Sequence, residues 1–457
     1  MTRAVALLAL LAACDHPVLP PPGQILLYFD TNAPLPAAPG QTLGSDAPLP
    51  IFDRLHVDLY LPNKRLPCDG CSREFAIDQG TVRAKDGGLA ASIGIPTPPH
   101  VGGYRVAVRL FRAASVYRNT IPDESSVIVV ARLAPAPAEG ILEHTIFLDT
   151  ETLGTPTGSL DAPAETIPGR SKTSLEGTWD GARRTPCMGT PLVDEACVRG
   201  GAYWMGDPRL AEAISVTERR TRLVVIAPFF MKKTEVTAGE LRAAGVPVVN
   251  IPSLQKWCSY KDPPSQDDAR AANCIPYSVA QDYCKQRGGD FPSETEFEFV
   301  ATAFNSTLYP WGNEDAKCDD AVWGRASAVL NGGQRGPCYA STQADLPARP
   351  TDPDDGRRDK VDVSGEGNFI VDLIGNLAET MRDAWDDGKG CWSKSGIFRG
   401  EDAAHNFVCT RIGAASSSGR GGSWLSSALP AQTRTGEGVK TVVSIAVGFR
   451  CARPAAE

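Results

Sequence analysis

Residues 419–431 of the chain read GRGGSWLSSALPA. The adjacent glycines Gly421 and Gly422 let the backbone turn, or approach another segment, where a side chain would be in the way. The residues after Trp424 in this stretch (LSSALPA) carry no charge, and none is a cysteine, although the chain of 457 residues contains 13 cysteines. We therefore expect Arg420–Trp424 to be a specific structural feature, whose chemistry is limited by the missing cysteines.

Length and composition describe a folded protein of more than one domain. A chain of 457 residues exceeds one ordinary hydrophobic core and suggests two or three domains. Hydrophobic residues make up 42% of the chain and charged residues 22%, and the formal net charge is −8. Because nucleic-acid binding requires a basic surface, this charge argues against a nucleic acid partner.

The N-terminus has the pattern of an export and anchoring signal. After a short basic start, an apolar run extends to Ala13 and is too short for a membrane span of roughly 20 residues. The run ends in LAAC (11–14), which resembles the lipobox of bacterial lipoproteins, where cleavage leaves a diacylated cysteine. We expect a signal peptide at 1–13, lipid on Cys14 and a Pro-rich tether at 14–23. The alternative is a plain signal peptide that happens to end at a cysteine.

These features predict an exported protein that is lipid-anchored in the bacterial cell envelope, at the periplasmic face or at the cell surface. No later segment of the sequence approaches the length of a transmembrane helix, so the acyl chains are the only membrane anchor that we expect. Setting Cys14 aside leaves an even number of cysteines, as is typical of exported proteins with disulfide bonds.

The spacing of the cysteines suggests local disulfides. The suggested pairs are Cys68–Cys71, Cys187–Cys197, Cys258–Cys274, Cys318–Cys338 and Cys391–Cys409. The first pair is a CxxC motif, but it lies between two strands, without the helix N-terminus that depresses a thiol pKa, so a structural disulfide is favoured over a redox site. Zinc is disfavoured because no pair of CxxC motifs occurs and the chain has only 5 histidines.

The two halves of the chain have different patterns. Residues 24–150 contain short strands of alternating apolar and polar residues separated by Pro and Gly clusters, which predicts an all-β sandwich of immunoglobulin-like type. Residues 151–182 are poor in large apolar residues and are expected to form a linker. Residues 183–456 form a second domain with a few short helices. Capping boxes at Thr237 and Ser293 begin two of these helices.

The second domain resembles the formylglycine-generating enzyme (sulfatase-modifying factor) superfamily. Seven motifs follow the family's order: GAYWMG (201–206), FFMKKTEVT (229–237), DFPSETEFE (290–298), PWG (310–312), DLIGNLAE (372–379), RGGSW (420–424) and GFRC (448–451). Each motif alone is weak, but their order across the domain is specific. The resemblance implies an α+β, C-type-lectin-like domain with little regular secondary structure, preceded by the sandwich.

The resemblance also implies a disulfide and a metal site. A family cysteine on the helix before the third motif pairs with one after the final GFR, and here these residues are Cys284 and Cys451. Family members bind calcium partly through the Asn and Glu of the GNxxE motif, which match Asn376 and Glu379. Oxygen ligands of this kind suit Ca²⁺. The alternative is that both side chains only hydrogen-bond the loop backbone.

The catalytic residues of the family are replaced in this sequence. The generating enzymes hold copper(I) between two cysteines, three and eight positions after the serine of the GGS motif, because copper(I) selects soft thiolates. The corresponding serine is Ser423, and the two positions are Ser426 and Ala431, so no copper is expected. Ala378 and Thr380 also replace tryptophans that shape the family's peptide groove.

A related branch, the sulfoxide synthases, uses a histidine-rich iron site. His405 is the only histidine of the second domain, so this chain lacks that site. Two hypotheses remain. The first is a non-catalytic envelope lipoprotein that binds a protein, a peptide or a glycan. The second is an oxidoreductase-type enzyme with a modified centre, for which the candidate residues are Ser423, Arg420, Asp383, Asp386 and Asp387.

Overall fold

The computed structural model of the chain describes residues 23–207, 210, 221–264, 268–340, 347–349, 356–385, 404–410, 416–425, 430–431, 435–439 and 443–455, without the side chains of 404–405 and 435–439. The lipobox with Cys14, most of the proposed tether, Cys391, Asp386, Asp387 and Ser426 therefore lie outside the described residues. None of the helices in the described part of the chain has the length and apolar character needed to span a bilayer.

The first half of the chain forms two β-sheets. Its strands are β1 (Gln24–Thr31), β2 (Arg54–Tyr60), β3 (Ser72–Ala76), β4 (Ser92–Ile95), β5 (Arg105–Phe111), β6 (Val127–Arg132), β7 (Ile141–Leu148), β8 (Ala164–Glu165) and β9 (Ile167–Pro168), with one helical turn, α1 (Gln79–Val82). The sheet orders are β4-β1-β7-β9 and β3-β2-β5-β6-β8. Alternate residues such as Ile25, Leu27 and Phe29 enter one core that both sheets share.

We call this arrangement of two sheets around a shared core the sandwich. One pairing was not expected: β1 runs parallel to β7 along its whole length, from Gln24 opposite Ile141 to Thr31 opposite Leu148. The other long strands, β2, β5 and β6, pair antiparallel. The two-sheet architecture is thus present.

The segment expected as a linker, residues 151–182, packs against the sandwich. Its strands β8 and β9 each add an edge strand to one of the two sheets. The buried Asp30 carboxylate accepts hydrogen bonds from Ser174 Oγ at 3.0 Å and Leu175 N at 3.1 Å. Leu153, Trp179 and Ala182 of the segment also enter the shared core, so both polar and apolar contacts hold it in place.

The second half combines small sheets with short helices. Its elements are β10 (Glu195–Val198), β11 (Gly201–Met205), β12 (Arg222–Ile226), β13 (Phe229–Lys232), α2 (Ala238–Ala243), α3 (Tyr277–Gln286), α4 (Glu294–Ala301), β14 (Lys360–Asp362), β15 (Phe369–Val371), β16 (Ala378–Ala384), β17 (Ala404–His405), β18 (Ser416–Arg420), β19 (Thr435–Val439), β20 (Val447–Gly448) and β21 (Ala452–Pro454). Capping boxes at Thr237 and Ser293 begin α2 and α4, as predicted.

The ribbon of β11 and β12 joins the two halves, because it is buried on both faces. Tyr203 and Met205 face the core of the second half. Trp204, between them, enters the core of the sandwich, where its ring lies edge-on to Phe52 with centroids 5.8 Å apart. Its Nε1 donates a hydrogen bond to the carbonyl of Ile51. The ribbon therefore lies between two apolar cores and contributes side chains to each.

Candidate functional site

The glycine pair after β18 is a close-packed turn, as the sequence predicts. Gly421 and Gly422 have φ angles of 90° and 74°, in the region that favours glycine. A Cβ atom on Gly421 would lie 2.6 Å from the carbonyl oxygen of Leu373. Neighbouring backbone bonds, from Gly375 N to the Gly421 carbonyl and from Trp424 N to the Asn376 carbonyl, fasten the turn to the GNLAE motif.

Arg420, the last residue of β18, is fully buried and bound on several sides. Its Nη2 lies 2.7 Å from Glu294 Oε2, and its Nη1 lies 2.8 Å from Glu298 Oε2. Nη1 also donates to the carbonyl of Ala431 at 2.8 Å. Burial disfavours the charged guanidinium, but the two carboxylates outweigh this effect and raise the pKa of Arg420. The arginine is a charged structural centre.

Helix α4 supplies both carboxylates because Glu294 and Glu298 are four residues apart and so lie on the same helix face. Glu298 Oε1 also accepts the backbone N–H of Gly206, the last residue of the GAYWMG motif. Burial raises the pKa of Glu298, and the charge of Arg420 offsets part of that rise. This Arg420 network thus ties three sequence motifs together.

A second buried network, centred on Arg450, joins three other motifs. Arg450 Nη2 lies 2.6 Å from Glu379 Oε1, and its Nε also donates to this carboxylate. Nη2 donates further to the carbonyls of Val371 and Asp372. Glu235 of the EVT motif accepts hydrogen bonds from Asn376 Nδ2 and from the backbone of the next residue. Burial and neighbouring carboxylates raise the pKa of Glu235 well above its usual range.

The two residues expected to bind calcium are engaged in these contacts. Asn376 Oδ1 accepts the backbone N–H of Ala348 at 2.9 Å, while its amide nitrogen is bound to Glu235. Both oxygens of Glu379 accept hydrogen bonds from Arg450. Within the described ranges, no group of three or more His, Cys, Asp or Glu residues is arranged to hold a metal ion. The side-chain oxygens of Asn376 and Glu379 already accept hydrogen bonds from the protein, so they do not fit a calcium site. These contacts support the alternative, in which both side chains have a hydrogen-bonding role.

Of the two positions that carry copper cysteines in the family, one is described. Ala431 is fully buried in the core of the second half. Its N–H donates to the Leu308 carbonyl at 2.8 Å, and its own carbonyl accepts from Arg420. Ser426 lies outside the described residues. Ser423 is buried next to Trp424, with 1% of its surface exposed.

The other candidate residues lie on β16 or beyond it. Ala378 and Thr380 are buried on this strand. Asp383 is fully buried and accepts hydrogen bonds from Glu294 N at 2.8 Å and Cys409 N at 2.7 Å. Burial, together with the Glu294 carboxylate, raises the pKa of Asp383 to about 7. The side chain of His405 is not described.

Four of the five spacing-based disulfides are confirmed, as is the pair that the family resemblance implies. The bonded pairs are Cys68–Cys71, Cys187–Cys197, Cys258–Cys274, Cys318–Cys338 and Cys284–Cys451. The last of these links α3 to the residue after GFR, with Cα atoms 5.3 Å apart. Because Cys391 lies outside the described residues, the pair Cys391–Cys409 stays a prediction.

The motifs, the two arginine networks and the bridge from α3 to the C-terminus define a domain of the formylglycine-generating-enzyme type. The sulfatase-modifying factor enzyme 1-like domain family matches residues 186–455. This match covers more than half of the chain, and the chain belongs to that family.

Several solved structures match somewhat more than half of the chain. PvdO from Pseudomonas aeruginosa is 21% identical, with a TM-score of 0.40, over 59% of this chain and 99% of that one. Treponema denticola variable protein 1 is 14% identical, with a TM-score of 0.35, over 58% and 99%. CarF is 13% identical, with a TM-score of 0.34, over 58% and 99%. Among curated proteins, none matches the sequence significantly.

Sequence reasoning missed the partners inside the two networks. The motifs contain Glu235, Glu294, Glu298 and Arg450, but we assigned none of these residues a partner from the sequence. The sequence did contain a signal, because the motifs place charged residues among apolar ones. Charged residues are almost never fully buried unless they are paired, so partners for these residues could have been expected. The sequence does not state which carboxylate meets which arginine.

Proposed function

We propose that the protein is a non-catalytic member of its family: an exported envelope protein whose second domain binds a protein, a peptide or a glycan. The observation that carries this proposal is the buried methyl group of Ala431, whose backbone is bonded to Leu308 and Arg420. A methyl group is no metal ligand, and copper(I) selects thiolates. The family's scaffold is kept while its oxidation chemistry is lost.

Two of the residues that a modified catalytic centre would use, Arg420 and Asp383, have structural partners. Arg420 is saturated by two carboxylates and a carbonyl, and Asp383 accepts two backbone N–H groups. A group bound on all sides in the protein interior is not free to contact a substrate. This arrangement favours binding over an oxidoreductase activity that would rely on these residues.

The proposal includes a lipid anchor on Cys14 and an immunoglobulin-like type of sandwich. The anchor is supported by the LAAC sequence after the apolar run, and the sandwich type by two sheets around one core. Intact-mass measurement of the protein extracted from membranes tests the anchor. We expect loss of residues 1–13 and the added mass of acyl chains, and an unmodified Cys14 would contradict the anchor.

Copper(I) titration tests the loss of the metal centre. The affinity of the wild-type protein for copper(I) should be no higher than that of the Ala431→Ser variant. The double variant Ser426→Cys with Ala431→Cys should bind copper(I) far more tightly, because it restores both thiolates. Tight stoichiometric binding by the wild-type protein would contradict the proposal.

A further inference from the structure

The two ends of the sandwich differ in what covers them. At one end, the segment before β2 meets the second half of the chain through the contact of Phe52 with Trp204. Asp46 of the same segment forms an ion pair with Arg199. Arg112, which directly follows β5, donates to the carbonyl of Asn305 at this end. This end is an intramolecular interface.

At the opposite end, three loops come together around the point where the described chain begins. Arg105 donates to the carbonyls of Leu61 and Lys64, which fixes the loop 61–67. The N–H of His100 donates to the carbonyl of Ala136, which joins the other two loops. We define the surface made by residues 61–67, 96–103 and 134–141 as the entry face.

The entry face combines exposed aliphatic side chains with few charges. Residues 96–103 (PTPPHVGG) contain no Asp, Glu, Lys or Arg, and residues 134–141 (APAPAEGI) contain only Glu139. Residues 61–67 (LPNKRLP) contain Lys64 and Arg65, and Arg65 forms an ion pair with Asp161. Four aliphatic side chains stand exposed on this face: Leu61 (37%), Leu66 (78%), Val101 (41%) and Ile141 (54%). Several prolines restrict the loops that carry them. Clusters of exposed aliphatic residues on restricted loops mark interaction sites.

The chain enters the fold at this face. Gly23 N donates to the carbonyl of Ala138, and Gln24 N donates to the carbonyl of Gly140. Cys14 precedes Gly23 by nine residues, and such a segment spans at most about 30 Å when fully extended. A lipid on Cys14 would therefore keep the entry face within about 30 Å of a bilayer. The second half of the chain lies at the far end of the sandwich.

We propose that the entry face rests on the bilayer surface, so that the sandwich acts as a spacer that holds the second domain away from the membrane. This inference rests on the lipid anchor included in the proposed function. The strands along the sandwich are up to eight residues long, which separates its two ends by about 25 Å. Because Lys64, Arg65 and Glu139 are the charged residues of the three loops and Arg65 is paired with Asp161, the contact depends mainly on aliphatic side chains and only weakly on salt.

Depth-dependent quenching tests this orientation on the full-length lipidated protein in phosphatidylcholine vesicles. An environment-sensitive fluorophore is attached to Ile141→Cys and, as a matched control, to Val329→Cys, which replaces an exposed valine (75%) of the second domain. Lipids that carry a nitroxide at the headgroup should quench the label at position 141 at least several-fold more than the label at 329. Adding Leu66→Asp should reduce quenching at 141, whereas Val193→Asp should not.

Flotation of the vesicles separates failure of the anchor from failure of the orientation. If the protein does not float with the vesicles, the lipid anchor is wrong and this inference falls with it. If the protein floats and both labels are quenched equally, the anchor stands and the orientation is overturned. The orientation is also overturned if a copurifying protein, rather than lipid, covers the label at 141. Lipids that carry a nitroxide would then leave this label unquenched.

Discussion

Each half of the molecule is stabilised by a different kind of interior contact. In the sandwich, alternate aliphatic residues of β1, β2, β5, β6 and β7 fill a core that needs no buried ion pair between its two sheets. In the second half, the sequence motifs meet through Arg420 and Arg450, which are fully buried and paired with carboxylates. Four of the five described disulfides also lie in the second half.

The comparison teaches how a domain with little regular structure keeps one conformation. An apolar core tolerates exchanges among residues of similar size, because its contacts have no direction. A buried ion pair requires its partners at defined distances, so it specifies which loops meet, although it contributes less net stability than its Coulomb energy suggests. The second half should therefore be more sensitive to single polar changes than the sandwich.

The largest expected difference concerns the disulfides. Cys284–Cys451 closes 167 residues of the second half, whereas Cys68–Cys71 closes three residues in the sandwich. In the chain-entropy model, removing the first should lower the free energy of unfolding by about 5 kcal/mol and removing the second by about 2 kcal/mol. Paired Cys→Ala variants, compared by urea denaturation, test the contrast, and equal losses would contradict it.

Arg420 provides the next largest effect. Arg420→Met leaves Glu294 and Glu298 buried without their counter-charge, so we expect a loss of about 3–5 kcal/mol. The matched control is Arg382→Met, because Arg382 pairs with Glu296 of the same helix but is partly exposed. Its loss should stay within about 1 kcal/mol. Similar losses in the two variants would show that the buried network is not what holds the motifs.

Trp204 tests whether the halves unfold separately. Trp204→Ala removes a side chain that lies in the core of the sandwich but belongs to the second half, and should cost about 3 kcal/mol. We expect the wild-type protein to give one calorimetric transition and the variant to give two. Trp311→Ala, which removes a half-buried ring stacked on Tyr309, should leave a single transition. Two transitions in the wild-type protein would mean that the halves are independent.

A further difference is a pH dependence of stability, which comes from the buried Asp383 of the second half. Its pKa is raised from 3.8 to about 7 in the folded state, mainly by burial. Between these two values the folded protein holds a proton that the unfolded chain has lost, so this group lowers the free energy of unfolding as the pH rises toward 7. Asp383→Asn should weaken this dependence between about pH 4 and pH 7 in denaturant titrations. If the free energy of unfolding keeps the same slope against pH in the variant, Asp383 is not protonated in the folded protein over this range.

Local features of this chain were predictable from sequence, and long-range polar contacts were not. Alternation of apolar residues located the strands of the sandwich, and the capping boxes at Thr237 and Ser293 located the starts of α2 and α4. The parallel pairing of β1 with β7 carries no local signal. The partners of Arg420 lie more than 100 positions away in sequence, so only the folded chain reveals them.

The candidate site was only partly predictable, because many of its contacts join residues that are far apart in the sequence. The family resemblance supplied the two copper positions relative to the serine of the GGS motif, and counting from Ser423 then identified Ala431 as the position of a missing ligand. The expectation of calcium at Asn376 and Glu379 came from the family resemblance. It did not allow for the N–H of Ala348 and for Arg450, which bind the side-chain oxygens of Asn376 and Glu379.

The measurement that tests the central claim most directly is aldehyde formation. Purified protein, supplied with copper(I) and oxygen, is incubated with a cysteine-containing sulfatase-motif peptide, and the product is analysed by mass spectrometry. We expect no formylglycine above the copper-free control, and little even in the Ser426→Cys, Ala431→Cys double variant, because Ala378 and Thr380 alter the family's peptide groove. Copper-dependent turnover by the wild-type protein would contradict the non-catalytic account.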